Sequence, residues 1–255
     1  INRQTHTYKQ KMEKVLTRQF FARQGLNPTI QRFHTLDQGS EEWLNARKQH
    51  IRLGGSDIAA AANVIGAYNS RNDLLQKKKF GKDKPTSQMF QSILDYGRDN
   101  ELPAKFRLME ELPIDLWWDT GLWILEEDPR FGVSPDGIIW GERLGDGPIL
   151  VEIKCPYSRV HYSRIPEHHK AQMLVQMKTL RVKQAFYVSY VPGIENELVI
   201  WKVVWDKSME ACWENLYRGA CEFLDVLEDA TTIKLGPQRN KIGFPGFNGK
   251  IMCSS

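Results

Sequence analysis

Hydrophobic residues in the first half of the chain recur at helical spacing, whereas those after residue 113 fall in short runs rich in β-branched and aromatic residues, separated by turn sequences, as in strands. After residue 36, each predicted helix of the first half begins behind a residue whose side chain can cap it. These residues are Ser40, Ser56, Ser70, and Thr86 or Ser87. The second and third helices are predicted to end at Gly66 and Gly81. The fourth is predicted to run through Met109 and to bend near Pro103.

The rest of the chain is predicted to contain strands and two further helices. An antiparallel meander of four strands, separated by turn sequences rich in Gly, Pro and Asp, is predicted at 114–118, 122–126, 137–140 and 149–155. A helix at 166–180, strands at 185–191 and 198–205, and a closing helix at 206–227 are predicted to follow. Helices and strands in this order indicate an α/β fold class.

Local composition divides the chain into three predicted segments. Residues 1–35 are predicted to form a basic amphipathic arm, in which Leu16, Phe20 and Phe21 belong to one apolar stripe. Residues 36–230 are predicted to be the folded domain. Residues 231–255, which are punctuated by Gly and Pro, are predicted to be an irregular tail.

The composition is typical of a folded, water-soluble protein. Of 255 residues, 41% are hydrophobic and 26% are charged, which argues against the membrane and disordered classes. The net charge of +4 is too small to identify a polyanionic partner by itself. The four cysteines form no CxxC pair, so neither a zinc finger nor a disulfide scaffold is indicated. A reducing, intracellular setting is expected for a protein that is not secreted.

The candidate chemistry lies in residues 131–156, FGVSPDGIIWGERLGDGPILVEIKCP. Asp136 lies in a Pro-Asp-Gly turn, and Glu152 and Lys154 share one face of the strand that follows. A hairpin through the GDG turn would bring that face beside Asp136. Neighbouring carboxylates repel each other unless a cation intervenes, and an all-oxygen site suits Mg²⁺. The alternative is that Glu152 and Lys154 form an exposed ion pair and that Asp136 merely makes a turn.

The order of Asp136 followed by a strand with Glu-x-Lys resembles the PD-(D/E)XK nucleases. The strings SPDG and VEIKCP resemble the branch that contains the phage lambda exonuclease and the YqaJ-type viral recombinases. Three other stretches agree with this branch: EEWLNAR followed by GGSDIAAA, GRDNE, and AQMLVQM. The resemblance covers about residues 38–205, and the loop GERLGDG is longer than its counterpart in the family. The implied fold is a restriction-endonuclease-like core, with a mixed central sheet flanked by helices, and a helical N-terminal portion.

The resemblance also implies site residues. The expected metal ligands are Asp136, Glu152, the Ile153 carbonyl group and Glu101. Lys154 would serve the nucleophilic water, and Gln172 would orient Lys154 or that water; from the residues alone, Glu101 and Gln172 are ordinary polar helix residues. A pocket for a terminal 5′ phosphate would be formed by Arg47, Ser56, Ser134 and Arg159, because guanidinium groups and hydroxyls suit a dianionic group. Alternatively, Arg47 contacts backbone phosphates only.

The function that the resemblance implies is a Mg²⁺-dependent deoxyribonuclease, in which Mn²⁺ can substitute. It would degrade one strand of double-stranded DNA from an end, 5′ to 3′, in DNA recombination or viral DNA processing. The implied partners are double-stranded DNA, further copies of the chain in a ring-shaped homotrimer and a single-strand annealing protein, with no membrane partner. The expected location is the cytoplasm or, for a viral protein, the host nucleus.

Two other functions stay open at this point. One is an endo/exonuclease similar to the alkaline nucleases of large DNA viruses, which needs no DNA end. The other is a catalytically silent DNA-binding module that retains the fold. Three histidines, which have no third ligand at zinc spacing, are expected to be exposed or to face DNA: His161, His168 and His169.

Overall fold

A computed structural model of the chain describes residues 19–23, 26, 35–81, 87–232, 234–235, 240–247 and 249–252. Most of the predicted N-terminal arm lies outside these residues. Within it, residues 19–23 are helical, and the buried Phe21 stacks on Trp118 with the ring centroids 5.5 Å apart. This part of the arm therefore packs against the folded domain. The limits of the three predicted segments stay a prediction.

The described residues after position 35 contain helices and strands in the mixed order that the α/β class requires. The helices are α1 (Glu41–His50), α2 (Ile58–Ala61), α3 (Arg71–Phe80), α4 (Gln88–Glu111), α5 (Glu167–Leu180) and α6 (Lys207–Glu228). The strands are β1 (Leu53–Gly54), β2 (Leu116–Trp118), β3 (Trp123–Ile124), β4 (Phe131–Val133), β5 (Gly137–Trp140), β6 (Ile149–Lys154), β7 (Gln184–Tyr190), β8 (Leu198–Val204) and β9 (Gly249–Met252). The predicted fold class is confirmed.

Side-chain caps begin most of the helices where the sequence predicts them. The Ser40 hydroxyl accepts a hydrogen bond from the Trp43 amide, Ser70 forms a capping box with Asp73, and Ser87 caps α4. Ser56 is an exception, because α2 begins only after Asp57 and has no side-chain cap. This helix also ends before the predicted Gly66.

The early end of α2 has a local cause. Asn63 has a left-handed φ of 58°, a conformation that Asn tolerates better than most residues. The amide of the next residue, Val64, donates to the Ala59 carbonyl group at 2.8 Å, which closes the last turn. The chain therefore leaves the helix well before the glycine.

The strands form two sheets in the described part of the chain. The larger sheet has the order β2-β5-β6-β7-β8-β9, in which β6 and β7 are parallel and all other neighbours are antiparallel. The smaller sheet has the order β1-β4-β3. The prediction of a single meander is therefore wrong. The chain changes sheets between Val133 and Gly137, where Pro135 has no amide hydrogen to continue a ladder.

Strand β6 lies inside the larger sheet and is covered on both faces. Leu150 belongs to the core on the side of α5 and α6, whereas Val151 belongs to the core on the side of α4. Because β6 and β7 are parallel, the chain that joins them has to return along one face of the sheet. It does so as α5, which covers β6. The hairpin partners of β6 are Gly137 for Val151 and Ile139 for Ile149, so residues 141–148 connect β5 and β6 at the end remote from Asp136 and Lys154.

The C-terminal residues add an unpredicted strand. Within the segment predicted to be an irregular tail, residues 249–252 form β9, which pairs antiparallel with β8 and places Ile251 opposite Trp201. The prediction is wrong for these residues, because β8 offers an open sheet edge whose hydrogen-bonding groups a short strand can satisfy. Across the residues that the structure describes, no helix is long and apolar enough to span a bilayer.

Candidate active site

A cleft of about 560 Å³ lies between α4, the start of α5 and the end of β6. The predicted metal and catalytic residues that line it are Glu101, Asp136, Ile153, Lys154 and Gln172. Glu152 lies directly behind this wall and contacts two of its members. The structure therefore brings together the whole predicted catalytic set.

Among the residues that the structure describes, Asp136 is held over the end of β6 by one main-chain hydrogen bond. Its Oδ2 atom accepts a hydrogen bond of 2.6 Å from the Ile153 amide, so the turn after β4 is tied to the strand that carries Glu152. Burial raises the pKa of Asp136 well above its usual range, and the negative charge of Glu152 raises it further. Lys154 opposes this shift only in part. The carboxyl group is therefore placed where another positive charge would be favourable.

Glu152 is fully buried and its carboxylate is surrounded by donors. Its Oε1 atom accepts from Lys154 Nζ at 2.5 Å and from Gln172 Nε2 at 2.6 Å, and Oε2 accepts from Gln176 Nε2 at 2.6 Å. A buried carboxylate is tolerated only with such partners. The alternative of an exposed surface pair is therefore wrong for Glu152.

The Lys154 side chain provides the positive charge at the centre of the site. Burial lowers the pKa of its ammonium group, but the negative charges of Glu152 and Asp136 outweigh that effect, so the pKa lies above its ordinary value. Lys154 is therefore a stable hydrogen-bond donor at neutral pH. A donor of this kind can orient a water molecule or a phosphate oxygen more readily than it can remove a proton.

Two other ionisable groups line the same cleft. Glu101 reaches the cleft from α4. Burial and the negative charge of Glu152 raise the pKa of Glu101, and the positive charge of Lys154 offsets this only in part. For the neighbouring Cys155, burial and then the charge of Asp136 raise the pKa to about 12. Its thiol stays protonated at neutral pH, which argues against a cysteine nucleophile.

The donor set fits a hard divalent cation. Asp136 can supply a carboxylate oxygen, Ile153 can supply its carbonyl oxygen, and Glu101 can complete the set directly or through water, with the predicted ligand Glu152 directly behind them. The position of Asp136 over the strand that carries the buried Glu152 favours such an ion, because a cation would relieve the repulsion that raises the pKa of Asp136. Within the described ranges, no three His, Cys, Asp or Glu side chains form a ready-made metal cluster.

Neither the catalytic cleft nor the groove beside Arg47 is lined by all four predicted phosphate-binding residues. Ser56 lines the catalytic cleft, and Ser134 accepts a 3.2 Å hydrogen bond from the Trp43 indole. The Arg47 guanidinium lies over the Trp43 ring, 4.5 Å from its centroid, and faces a different groove. Arg159 is exposed in a turn and lines neither cavity. A joint 5′-phosphate pocket stays a prediction.

The groove beside Arg47 is strongly basic and has a volume of about 980 Å³. Its cationic lining residues, which are opposed by one acidic lining residue, are Arg47, Lys48, Arg52, Lys77, Lys78 and Lys79. Lys78 pairs with Asp57 at 2.7 Å, and Lys79 donates to main-chain carbonyl groups just after α6. Lys77 also lines the catalytic cleft, so the groove and the cleft adjoin.

The sequence of residues 42–189, more than half of the chain, matches the YqaJ-like viral recombinase domain. The chain belongs to the YqaJ-like viral recombinase family. This finding confirms the resemblance that the motifs around Asp136 and Glu152 carry. No curated protein matches the sequence.

Solved structures with a similar fold include two of the exonuclease LHK-Exo. Its complex with dAMP is 22% identical to the YqaJ-like chain, with a TM-score of 0.57. The structure described as an alkaline exonuclease from Laribacter hongkongensis is 21% identical, with a TM-score of 0.55. Each alignment covers 74% of this chain and 95% of the other. The likeness to these structures shows the fold that the chain adopts.

Several residues of the YqaJ-like site escaped the sequence analysis. His169 is only 2% exposed and forms hydrogen bonds with Tyr68 and Tyr187, so the expectation that it is exposed or faces DNA is wrong. A signal was present, because His169, Gln172 and Gln176 follow one another at the spacing of a single helix face. Tyr187 carried no such signal, since it comes from the strand that pairs with β6.

Proposed function

We propose that this YqaJ-like chain is a Mg²⁺-dependent deoxyribonuclease that degrades one strand of duplex DNA from an end, 5′ to 3′. We place it in DNA recombination or viral DNA processing. The observation that carries the proposal is the buried Glu152, bound by Lys154 and Gln172 directly behind the cleft that Asp136 lines. Crowded carboxylates beside an ammonium group suit metal-assisted hydrolysis of a phosphodiester.

We propose that Asp136, Glu152, the Ile153 carbonyl group and Glu101 hold the metal, with Mn²⁺ able to replace Mg²⁺. A divalent ion in this position supplies Lewis-acid stabilisation of the charge that develops on the phosphate. Gln172 and Gln176 keep the Glu152 carboxylate fixed. Lys154 donates a hydrogen bond that orients the attacking water or the scissile phosphate. Gln172 donates to the same Oε1 atom of Glu152 as Lys154 and so helps to orient Lys154 or the water.

The basic groove supports a nucleic-acid substrate. It adjoins the cleft at Lys77 and presents a row of cations that suits the phosphate backbone of a DNA strand. A similar fold is described in complex with dAMP, which is the kind of product that an exonuclease releases. We propose that Arg47, Ser56, Ser134 and Arg159 recognise a terminal 5′ phosphate, with the alternative that Arg47 contacts backbone phosphates only.

Digestion of linear and circular duplex DNA in Mg²⁺ tests the main proposal. We expect linear DNA to be shortened from its ends and covalently closed circles to survive, and full activity in EDTA would contradict the metal requirement. Cleavage of circles would favour the alkaline-nuclease-like alternative. Salt-sensitive DNA binding without cleavage would favour the silent module.

The recognition of the DNA end has its own test. Arg47→Ala should slow digestion of 5′-phosphorylated ends far more than that of 5′-hydroxyl ends, by up to about two orders of magnitude if the contact positions the scissile bond. An equal loss on both substrates would leave only the backbone contact. Sedimentation of the chain alone and with an annealing protein tests the proposed homotrimer and partner.

A further inference from the structure

We propose that Tyr68 is a substrate-binding residue whose hydroxyl donates a hydrogen bond to a phosphate oxygen of the DNA strand in the cleft. We further propose that Tyr187, acting through His169, sets the direction of that hydrogen bond. The inference rests on the proposed nuclease function, because it assigns a role to residues of the same cleft.

The three side chains form one hydrogen-bonded chain, here called the Tyr68–His169–Tyr187 network. The Tyr68 hydroxyl lies 3.1 Å from His169 Nε2, and His169 Nδ1 lies 2.7 Å from the Tyr187 hydroxyl. Tyr68 is 69% exposed and lines the cleft, whereas His169 and Tyr187 are buried. The Tyr68 ring also packs edge-on against His168, with the centroids 4.5 Å apart. An exposed phenol is thus anchored at both its hydroxyl and its ring.

The His169 ring can fix the direction of the hydrogen bonds in the network because the ring is neutral. Burial lowers the pKa of His169 strongly, and the charge of Lys154 lowers it further. A neutral imidazole has one donor nitrogen and one acceptor nitrogen, so the network can run in only two ways. The direction depends on which of the two phenol hydroxyls donates its hydrogen bond to the ring.

One of the two directions leaves a buried donor without a partner. If Tyr68 donates to Nε2, then Nδ1 must donate to Tyr187, and the Tyr187 hydroxyl needs another acceptor. The side chain of Tyr187 is wholly buried, and its hydroxyl has no second hydrogen-bonding partner among the residues that the structure describes. Leaving such a hydroxyl unpaired is unfavourable.

The opposite direction satisfies every buried group. Tyr187 donates to Nδ1, and Nε2 then donates to the oxygen of Tyr68, whose own proton is free to form a bond in the cleft. Desolvation of the Tyr68 hydroxyl inside the cleft raises the pKa of the phenol, with Lys154 opposing the shift, so it keeps its proton at neutral pH. An anionic phosphate oxygen is the acceptor that DNA would bring next to Asp136 and Lys154.

The tautomer of His169 tests the direction without DNA. Nitrogen-15 chemical shifts of the imidazole ring in the full chain should show the proton on Nε2. A proton on Nδ1 would overturn the inference, whatever the chain does to DNA. The same measurement on Tyr187→Phe should show a mixture of tautomers, because the group that fixes Nδ1 as an acceptor has been removed.

Kinetics on linear DNA test the role. Tyr68→Phe should lower kcat/KM about ten- to a hundredfold, the range expected for a lost hydrogen bond to a charged group. Tyr187→Phe should cause a smaller loss, and the Tyr68→Phe/Tyr187→Phe double variant should be no slower than Tyr68→Phe alone. Independent losses that multiply in the double variant would show that Tyr187 has only a structural role and would overturn the relay.

Tyr190→Phe provides a matched control, because it removes a buried phenol from the same strand, on the face that packs in the other core. It should leave kcat/KM unchanged, and thermal melts of all variants should confirm an intact fold. Wild-type activity in Tyr68→Phe would overturn the inference and leave the nuclease proposal in place. A wild-type chain that cleaves no DNA would overturn both.

Discussion

Two aspartates at opposite ends of β4 are held in opposite ways. Asp128, just before the strand, receives hydrogen bonds of 2.8 and 2.7 Å from the guanidinium group of Arg130 and a third from the Tyr217 hydroxyl at 3.2 Å. Asp136, just after the strand, receives one hydrogen bond from a main-chain amide and lies near the negative charge of Glu152. The same residue type is thus stabilised as an anion at one end of β4 and crowded at the other.

The pKa values follow this difference. Burial raises the pKa of Asp128, but the hydrogen bonds and charge of Arg130 outweigh it, and the pKa lies below its ordinary value. Burial and the negative charge of Glu152 raise the pKa of Asp136 well above its ordinary value. Asp128 is paired with positive charge within the chain, whereas Asp136 is left short of it, as the proposed cation site requires. The proposals for this site can therefore be tested by comparing substitutions at the two aspartates.

The largest effect is expected from Asp136→Asn. The amide oxygen can still accept from the Ile153 amide, but the charge is lost, so DNA hydrolysis should fall on the order of a thousandfold or more. The free energy of unfolding should stay unchanged or rise, because a crowded charge has been removed. Glu152→Ala should likewise abolish cleavage. Near-normal cleavage rates on linear DNA in either variant would contradict the site.

Lys154→Arg should reduce cleavage by about a hundredfold or more, in the range for a lost proton-transfer or orienting group. The planar guanidinium keeps the charge but cannot occupy the position of a compact ammonium group, so it should not rescue the defect of Lys154→Ala. Lys183 is exposed, so Lys183→Arg is the matched control and should cleave DNA as the wild type does. Full activity in Lys154→Arg would limit Lys154 to a purely electrostatic role.

A different result is expected at the other end of β4. Asp128→Asn should lower the free energy of unfolding by about 1.5–3 kcal/mol, the range for hydrogen bonds to a charged group. DNA cleavage below the melting temperature should persist. Glu126→Gln, which removes a mostly exposed ion pair with Arg181, should cost less than about 1 kcal/mol. Urea denaturation measures all three proteins, and equal losses would contradict the structural role of Asp128.

The smallest effect is expected in the pH dependence of the free energy of unfolding. Because the pKa of Asp128 is depressed in the folded state, its stabilisation is present above the ordinary value of 3.8 and is lost as the pH falls through the folded-state value. The difference in unfolding free energy between wild type and Asp128→Asn should therefore shrink between pH 5 and pH 3. Urea titrations at several pH values in about this range measure it. A constant difference would mean that Asp128 does not titrate in this way.

Local patterns predicted the hairpin of the candidate site because its parts are close in the chain. Asp136 comes just before β5, and Glu152 and Lys154 lie on β6, which pairs with β5, so alternation along β6 was enough to place the three on the same side. The caps at Ser40 and Ser70 were predictable for the same reason. In each case the hydrogen-bonding partners are neighbours in sequence.

Contacts between remote segments could not be predicted from those patterns. Tyr187 meets His169 only because β7 lies parallel to β6, with Tyr187 opposite Glu152 in the register. Tyr217 reaches Asp128, in the connection between β3 and β4, from α6. The division of the meander into two sheets depends equally on where β1 and β4 pair. Such pairings follow from the packing of the whole domain rather than from any window of sequence.

The connection between β5 and β6 offers a place to modify the protein without touching its chemistry. Residues 141–148 lie at the end of the hairpin remote from Asp136 and Lys154, and within them Leu144 is buried while Arg143 and Gly145 are exposed. Length differences here therefore do not shift the strands that carry the site. A fluorophore or affinity tag inserted beside Gly145, with Leu144 retained as an anchor, would label the chain at the end of the hairpin opposite the candidate site.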